Sequence, residues 1–500
     1  MSRSKVVVSL SVVLVVLLGI PSARADVKLP GVISDGMVLQ QGVPVRIWGW
    51  MDEGEEVTVK IRRQVESATA KNGRWSVTLA PLKKGGPFTL TISGKNTITL
   101  RDVLVGEVWV CSGQSNMQWP LSRTHEAEKR IARAANPKIR LFTVPRTKSD
   151  VPLDDIKASW QPCTPETVKE FSAVAYFFGR DLQKALRVPV GLIHTSWGGS
   201  PAEVWTRQSL LAANPDLKVI LDDYSKAFEH YEKAKSEHAA KTQKAKEEGK
   251  QPPRPPGAPW KPAELYNGMI APLLPYAIKG AIWYQGESNA SRPEQYRQLF
   301  PTMIQNWRRD WRQGDFPFLL VQLAPFGAIK SEPSESHWAE LREAQLLATK
   351  VLPNVGMAVI TDVGDPKDIH PRKKEPVGAR LALAARAIAY GKRAVYSGPV
   401  YKYMEIHGDK IVLHFDHVGK GLVAKGGPLK GFAITGENHE FVRADAVIKR
   451  DTVVVSSERV PKPIAARYGW ADCPVVNFWN KNGLPATPFR TDRDKDDLSY

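Results

Sequence analysis

A serine, a histidine and nearby carboxylates in this 500-residue chain have the types and the order that acyl transfer requires. Ser115 lies in the run GQSNM, where the preceding glycine permits a tight turn that exposes the serine hydroxyl. A hydroxyl is a poor nucleophile until a base accepts its proton. His370 lies in the run DPKDIHP, where Asp368, or alternatively Asp365, could orient the imidazole as that base. The order Ser…Asp…His predicts nucleophilic catalysis, and a serine that only caps a helix is the competing interpretation.

Two further runs carry groups that could stabilise the oxyanion of an acyl-transfer intermediate. In SWGGS, Gly198 and Gly199 expose backbone N–H groups to an incoming oxygen, although such a run can also be an ordinary tight turn. In WYQGESN, the side-chain amides of Gln285 and Asn289 are candidate donors. The backbone N–H of Ser115 would join them, so nucleophile, donors and base would all come from runs that follow apolar segments.

Those apolar segments predict the elements that position the site. They have the composition of buried strands and lie at 108–111, 190–194, 280–284, 318–323 and 355–361. Helical segments follow most of them, which predicts an α/β fold with a doubly wound parallel sheet whose strand ends share one ligand-binding edge. The signatures SPAE at 200–203 and SRPE at 291–294 predict capped helix starts, and Gly391 is placed to end a last helix over 375–390.

The chain divides into an α/β domain with a small β region on either side. Alternating apolar and polar residues predict an N-terminal antiparallel β-sandwich over 26–102 and a C-terminal β region with a charged tail over 395–500. The α/β domain occupies 103–394. Within it, 222–262 is interpreted as an insertion, a charged helix that passes into a proline-rich stretch. A solvated helix with a stiff extension is one reading of this insertion, and a lid or partner arm is the other.

The N-terminus is typical of a targeting segment. Residues 1–25 combine a basic start, an apolar run and the pattern ARA before Asp26, which predicts a cleaved signal peptide, with a membrane anchor as the alternative. We therefore expect a secreted or periplasmic protein without stable membrane insertion after cleavage. In such a compartment one disulfide could form among the cysteines, which are Cys111, Cys163 and Cys473.

Composition excludes several classes of protein. Hydrophobic residues make up 42% and charged residues 24% of the chain, which excludes wholesale disorder. A single long apolar run excludes a multi-span membrane protein, and three cysteines without a CxxC pattern favour neither a disulfide scaffold nor a structural zinc site. The net charge is +18, but the basic residues are dispersed, so nucleic acid is not the expected partner. Fifteen tryptophans fit a protein that faces carbohydrate.

The run GEVWVCSGQSNMQW at 106–119 resembles the signature of the sialate O-acetylesterase family, within the SGNH-hydrolase superfamily. SWGGS, WYQGESN and DIHP are similar to its further blocks in the same order. The N-terminal β region and the closing RYGW at 467–470 extend the similarity over nearly the whole mature chain. The resemblance implies a flavodoxin-like sheet and removal of O-acetyl groups from sugars without a metal or an organic cofactor.

Carried over by position, the resemblance implies that Ser115 is the nucleophile and His370 the base, with Gly198 and Gly199 giving a backbone oxyanion donor. A strict overlay of the superfamily's third block, GxND, places Ser288 where asparagine is expected. The side-chain donor therefore stays open between the two candidates, Gln285 and Asn289. We expect the neighbours of these blocks to contact the substrate, and they are Gln114, Asn116, Trp197 and Glu287.

The acid of the site and the sugar are less determined. The superfamily often places its acid three residues before the histidine, and Lys367 occupies that position. Asp368 is the first choice and Asp365 the second, and a Ser–His dyad assisted by a backbone carbonyl is a third. The substrate could be sialic acid or an acetylated plant or algal polysaccharide, since no carboxylate clamp is evident. Possible clamp residues, each also suited to an ordinary surface role, are Arg207, Arg292 and Arg342. A non-catalytic carbohydrate-binding protein on an esterase scaffold is the alternative function.

Overall fold

The structure is a computed structural model that describes residues 26–493. The predicted signal peptide at 1–25 and the end of the predicted tail lie outside the described residues. Between residues 26 and 493, no helix has the length and apolarity needed to cross a bilayer.

The N-terminal region is built from short strands with alternating burial. They are β1 (Val38–Gln40), β2 (Val45–Trp50), β3 (Glu56–Ile61), β4 (Gln64–Thr69), β5 (Arg74–Leu79), β6 (Gly85–Ser93) and β7 (Thr97–Gly113). Strand β3 pairs antiparallel with β4 and β6, and β2 pairs antiparallel with β5. The predicted alternation is confirmed, because Val57, Val59 and Ile61 on β3 are fully buried.

Strand β7 joins this region to the central sheet. Its first half pairs antiparallel with β6, and its second half pairs with strands of the α/β region. The remaining strands of the central sheet are β8 (Asn136–Thr143), β9 (Trp160–Cys163), β10 (Val190–Ser196), β11 (Gly280–Tyr284), β12 (Phe318–Val321) and β13 (Val355–Ala358). Their order is β13-β12-β11-β7-β10-β8-β9, and every pair along it is parallel except β8–β9. The predicted mainly parallel sheet is confirmed, whereas sequence analysis missed β8 and β9.

Helices cover both faces of this sheet. They are α1 (Ser115–Gln118), α2 (Ala127–Ala132), α3 (Pro165–Val168), α4 (Ala173–Leu186), α5 (Gln208–Ala213), α6 (Pro215–Glu247), α7 (Pro293–Trp311), α8 (His337–Val351) and α9 (Glu375–Ile388). Neighbouring residues of β7 enter opposite cores: Val110 packs in the core that includes Phe300 of α7, and Trp109 in the core that includes Phe178 of α4. Burial on both faces explains why these strands are almost uniformly apolar.

The predicted helix boundaries hold in part. The SPAE signature was expected to cap a helix, but the chain forms only a short 3₁₀ helix, Ala202–Trp205. The hydroxyl of Ser200 instead contacts the backbone carbonyl of Trp197 and the indole N–H of Trp205, so it cannot act as the cap. In SRPE, the proline begins α7 as predicted, but no side chain caps it. Helix α9 ends at Ile388, and Gly391 follows with a φ of 60°, as predicted.

The helix of the predicted insertion begins before residue 222. Helix α6 starts at Pro215, where the Asn214 side chain accepts a hydrogen bond from the Asp216 backbone, and it is one continuous helix to Glu247. Its first turns are anchored by the buried side chains of Leu217 and Ile220. The sequence prediction placed the start near 222 because the charged composition begins there. The helix starts earlier because the side chains of its first two turns pack in the core.

The C-terminal region has a separate core and antiparallel sheets. Its strands are β14 (Val400–His407), β15 (Lys410–Asp416), β16 (Leu422–Ala424), β17 (Phe432–Thr435), β18 (Val442–Arg443), β19 (Asp445–Lys449), β20 (Thr452–Ser456), β21 (Ala465–Tyr468), β22 (Phe478–Asn480) and β23 (Phe489–Arg490). The predicted alternation is confirmed at Ile411 and Leu413, which are fully buried. Arg342 on α8 donates to the backbone carbonyls of Ala471 and Asp472, which ties this region to the α/β sheet.

The suggested disulfide is absent. Cys111, Cys163 and Cys473 are all free and buried. They lie in different parts of the fold, namely on β7, at the end of β9 and in the loop after β21. The tertiary structure therefore pairs none of the three cysteines, a question that composition could not answer. Burial raises the pKa of the Cys163 thiol to about 12, and an un-ionised thiol has little reactivity.

Candidate active site

A close approach between strands β7 and β11 shapes the turn that carries Ser115. Gly113 ends β7 with a φ of 139°, and a Cβ added there would lie 2.1 Å from the carbonyl oxygen of Tyr284. Only glycine fits such contact with a neighbouring backbone. The chain therefore turns at once into the single-turn helix α1, and Ser115 is its first residue. This turn places the serine directly beyond the carboxyl end of a central strand.

The structure brings Ser115 and His370 together. The Nε2 atom of His370 lies 2.9 Å from the Oγ atom of Ser115. The imidazole stacks on the indole of Trp119, with ring centroids 5.0 Å apart and an angle of 17° between the planes. Both residues open onto a cleft of about 370 Å³ whose other lining residues include Gln118, Trp119, Arg123, Asp368 and Arg372. The pair thus has the geometry of a hydroxyl nucleophile and its general base.

Asp368 is the carboxylate that contacts His370. Its Oδ1 atom accepts a hydrogen bond from the His370 backbone N–H at 2.9 Å and lies 3.7 Å from the imidazole Nδ1. The carboxylate of Asp365 instead accepts from the backbone N–H of Lys367 at 2.8 Å. Of the two predicted acids, the structure places only Asp368 against His370. Its Nδ1 distance is longer than a hydrogen bond, and its side chain is 42% exposed.

Burial favours the neutral imidazole of His370. The pKa of His370 is lowered chiefly because burial disfavours the imidazolium, and the positive charges of Lys374 and Arg123 lower it further. Asp368 acts in the opposite direction and raises that pKa. The net effect is a neutral imidazole at neutral pH, which is the form that can accept the serine proton.

The glycine loop after β10 packs against Ser115. A Cβ added at Gly198 would lie 3.3 Å from the Cβ of Ser115. The Gly198 N–H already donates to Oε1 of Gln118 at 2.7 Å. Among residues 26–493, the backbone N–H groups of Ser115 and Gly199 have no hydrogen-bond partner. Those two N–H groups are thus the ones still free to bind an oxyanion.

The two predicted side-chain donors point into a buried network. The Gln285 amide donates to Oδ1 of Asn289 at 2.6 Å, and the Asn289 amide donates to Glu203 at 2.9 Å. Neither has a contact with Ser115 within the described part of the chain. Sequence reasoning missed Gln118, which lines the cleft three residues after the serine on the same helical turn. Only a predicted helix over 115–118 could have revealed it.

Three of the predicted substrate contacts lie beneath the site. The Oε1 atom of Gln114 accepts backbone hydrogen bonds from Gly286 and Ser288, both at 3.3 Å. The Asn116 amide donates to Oε1 of Glu287 at 2.6 Å, and burial raises the pKa of that glutamate. These side chains link α1 to the loop after β11, so the structure gives them supporting positions.

The fourth predicted contact, Trp197, lies at the glycine loop and meets the insertion. Its backbone N–H donates to the carbonyl of Gly113 at 3.2 Å. Its indole packs edge-on against Trp260, with centroids 5.6 Å apart. The ammonium group of Lys148 lies 4.2 Å from the Trp260 ring. The proline-rich stretch after α6 therefore returns to the neighbourhood of the nucleophile.

The arginines suggested as a clamp serve other contacts. Arg207 pairs with Asp310 at 2.9 Å, and Arg292 pairs with Glu203 at 2.7 Å. Arg342 has no surface role, because it is fully buried and its guanidinium donates to backbone carbonyls. In the described structure, the arginines of the cleft itself, Arg123 and Arg372, have no carboxylate partner.

The Ser115–His370 cleft lies in a chain whose similarities point to one family. A family model described as a carbohydrate esterase, sialic acid-specific acetylesterase, matches residues 258–386. Sialate O-acetylesterase from Homo sapiens is 31% identical over 518 residues, with 94% of this chain and 93% of that protein covered. The protein of that name from Rattus norvegicus is 34% identical over 416 residues, with 75% and 76% covered. The crystal structure of a carbohydrate acetylesterase from Xanthomonas citri is 38% identical with a TM-score of 0.82, and it covers 94% of this chain and is itself fully covered. The chain therefore belongs to the sialate O-acetylesterase family of carbohydrate esterases.

Proposed function

We propose that this protein is an SGNH-type serine esterase, with a flavodoxin-like sheet, that removes O-acetyl groups from carbohydrates. The observation that carries the proposal is the 2.9 Å contact between the Nε2 atom of His370 and the Oγ atom of Ser115. Its relatives are named sialate O-acetylesterase and carbohydrate acetylesterase, and these names support an acetyl ester of a sugar as the substrate.

The reaction proceeds by acyl transfer in two steps. His370 accepts the proton of Ser115 as the serine oxygen attacks the acetyl carbonyl, and Asp368 stabilises the imidazolium that forms. The imidazolium then protonates the sugar oxygen, which leaves as an alcohol. Water, deprotonated by the same imidazole, hydrolyses the acetyl-serine and releases acetate. The proton transfers use Ser115, His370 and Asp368, with the substrate and one water molecule as the reactants.

The oxyanion of the tetrahedral intermediate needs donors on the side of Ser115 that faces the glycine loop. The free backbone N–H groups of Ser115 and Gly199 supply two. Gln118 supplies a third in place of Gln285 or Asn289. Its Oε1 atom accepts the Gly198 N–H, its NH₂ group has no hydrogen-bond partner among residues 26–493, and the side chain lines the cleft. An amide held by its oxygen in this way is a preorganised donor.

The charge of the cleft favours an acidic sugar. Arg123 and Arg372 line it, and neither is neutralised by a carboxylate of the described chain. A guanidinium binds a carboxylate with a pair of parallel hydrogen bonds, so these arginines suit the carboxylate of a sialic acid. We therefore rank O-acetylated sialic acid above neutral acetylated polysaccharides as the substrate. Export by the signal peptide at 1–25 would place the enzyme where such glycans occur.

Acetate release by the purified protein tests the proposal. The panel is an O-acetylated sialoside, acetylated xylan, acetylated xyloglucan and acetylated pectin, with Ser115→Ala as the matched control. We expect release from the sialoside, loss of release in the variant, and labelling of wild-type Ser115 by a fluorophosphonate. Folded protein without release and without labelling would contradict the esterase and favour a binding protein on the same scaffold.

A further inference from the structure

Lys374 is a buried lysine that lies beneath the nucleophile and the base. The residue is 1% exposed. Its Nζ atom donates to Oδ1 of Asn116 and lies 5.3 Å from the ring centre of Tyr284 and 5.9 Å from that of Trp119. Within residues 26–493, no carboxylate lies at ion-pair distance from it. A lysine buried without such a pair is costly, so its presence calls for a role.

Asn116 links the two halves of the catalytic pair. It follows the nucleophile directly, and its Nδ2 atom donates at 3.0 Å to the carbonyl of Ile369, the residue before His370. The same amide group donates to Oε1 of Glu287 at 2.6 Å. One side-chain amide therefore holds the loop of the base against the turn of the serine.

Lys374 in its protonated form fixes the direction of this amide. An ammonium group can only donate hydrogen bonds, and a backbone carbonyl can only accept them. The amide must therefore turn its oxygen toward Lys374 and its NH₂ group toward Ile369. A flipped Asn116 would set oxygen against oxygen at Ile369 and NH₂ against ammonium at the lysine.

We propose that Lys374 is a positioning residue of the esterase reaction, which holds the His370 loop in register with the serine through the amide of Asn116. The proposal rests on the proposed function, because it assigns a role within that reaction. Lys374 itself touches neither the serine oxygen nor the cleft.

The charge of Lys374 acts on the same base. The charged groups that face His370 are Lys374 and Arg123, which lower its pKa, and Asp368, which raises it. Those that face Lys374 are Glu287 and Asp368, and burial holds the lysine pKa at about 7. Lys374 is thus protonated over the range below neutrality in which His370 titrates. Removing its charge should raise the His370 pKa and move the acid limb of the activity profile to higher pH.

The test compares Lys374→Met with Lys373→Met, the exposed lysine beside it, using 4-nitrophenyl acetate at several pH values. We expect Lys374→Met to lower kcat about 100-fold with KM little changed, because a misaligned base slows chemistry rather than binding. Its acid limb should move to higher pH, whereas Lys373→Met should match the wild type. Lys374→Arg, which keeps the charge and the donor, should recover most of kcat and leave the limb in place.

The outcomes separate this inference from the proposed function. An active wild type with an unchanged kcat and acid limb in folded Lys374→Met would overturn the positioning role. A wild type that releases no acetate and is not labelled at Ser115 would overturn the esterase itself. If Lys374→Met does not fold, Lys374→Gln, which also removes the charge, takes its place: an acid limb at higher pH with a reduced kcat supports the role, and a wild-type kcat with an unmoved limb overturns it.

Discussion

The carboxylate of Asp368 holds the backbone of His370 more closely than its ring: Oδ1 lies 2.9 Å from the His370 backbone nitrogen and 3.7 Å from Nδ1. Asp368 thus sets the loop conformation, and its charge reaches the imidazole from a half-exposed position. Water screens such a charge, so its contribution should be smaller than that of a buried triad acid.

Asp368→Asn should therefore reduce kcat/KM by about 10- to 100-fold, less than the roughly 10⁴-fold typical of a buried triad acid. Because Asp368 raises the His370 pKa, its loss should lower that pKa and move the acid limb of kcat/KM to lower pH. Asp365→Asn is the matched comparison and should have the smaller effect. A pH–rate profile of both variants checks this, and a larger loss in Asp365→Asn would reverse the assignment of the acid.

Loss of the Gln118 amide should slow chemistry without weakening substrate binding. We expect Gln118→Met to lower kcat about 10²–10³-fold with a similar KM, the usual result of removing one oxyanion donor. Gln118→Glu can still accept the Gly198 N–H but offers the oxyanion a second negative charge, so it should be no better. Gln161→Met, at an exposed glutamine on β9, is the control. Steady-state kinetics checks this prediction. A wild-type kcat in Gln118→Met would mean that only backbone N–H groups stabilise the oxyanion.

The arginines of the cleft should determine preference among sugars. Arg372→Gln should raise KM for an O-acetylated sialoside about 10- to 100-fold, the worth of one charged hydrogen-bonding contact. KM for an uncharged acetyl ester should not change. Arg123 stacks on Trp119 at 4.0 Å, so its replacement also disturbs the indole under His370, and Arg372 is the cleaner site. Equal effects of Arg372→Gln on both substrates would argue against a carboxylate contact, and Arg393→Gln at an exposed position is the control.

Acid should destabilise the fold through His194 at the end of β10. The imidazole is buried, its Nε2 atom lies 2.6 Å from Oγ of Ser196, and burial lowers its pKa to about 4. In the unfolded chain a histidine takes up a proton below about pH 6.5. Between about pH 6.5 and 4 the unfolded state binds one more proton than the folded state. The free energy of unfolding therefore decreases as the pH is lowered through this range, by about 3 kcal/mol in total.

His194→Gln should remove this part of the pH dependence. The free energy of unfolding, measured in urea at pH 7 and pH 4, should change less in the variant than in the wild type by about 3 kcal/mol. His125→Gln, at an exposed histidine, should keep the wild-type dependence. Identical dependence in all three proteins would show that His194 is already protonated in the native state or open to water.

Sequence patterns located most of the central sheet but not its edge. The predicted strands at 108–111 and 280–284 correspond to the end of β7 and to β11, because strands buried on both faces are apolar throughout. Strand β8 was missed since its sequence NPKIRLFT contains a proline and two basic residues. Pairing with β10, a contact between distant parts of the chain, makes it a strand.

By itself the sequence determined which residue types follow each strand and in what order, and therefore that Ser115 and His370 would share one edge of a parallel sheet. Only the tertiary structure decided between neighbours: Asp368 rather than Asp365 lies beside His370, and the cleft is lined by Arg123 and Arg372 rather than by the three arginines suggested from sequence. Choices of this kind depend on side-chain direction and loop conformation. Residues a few positions apart share the same local signals, and only packing against distant segments turns one toward the site and another away.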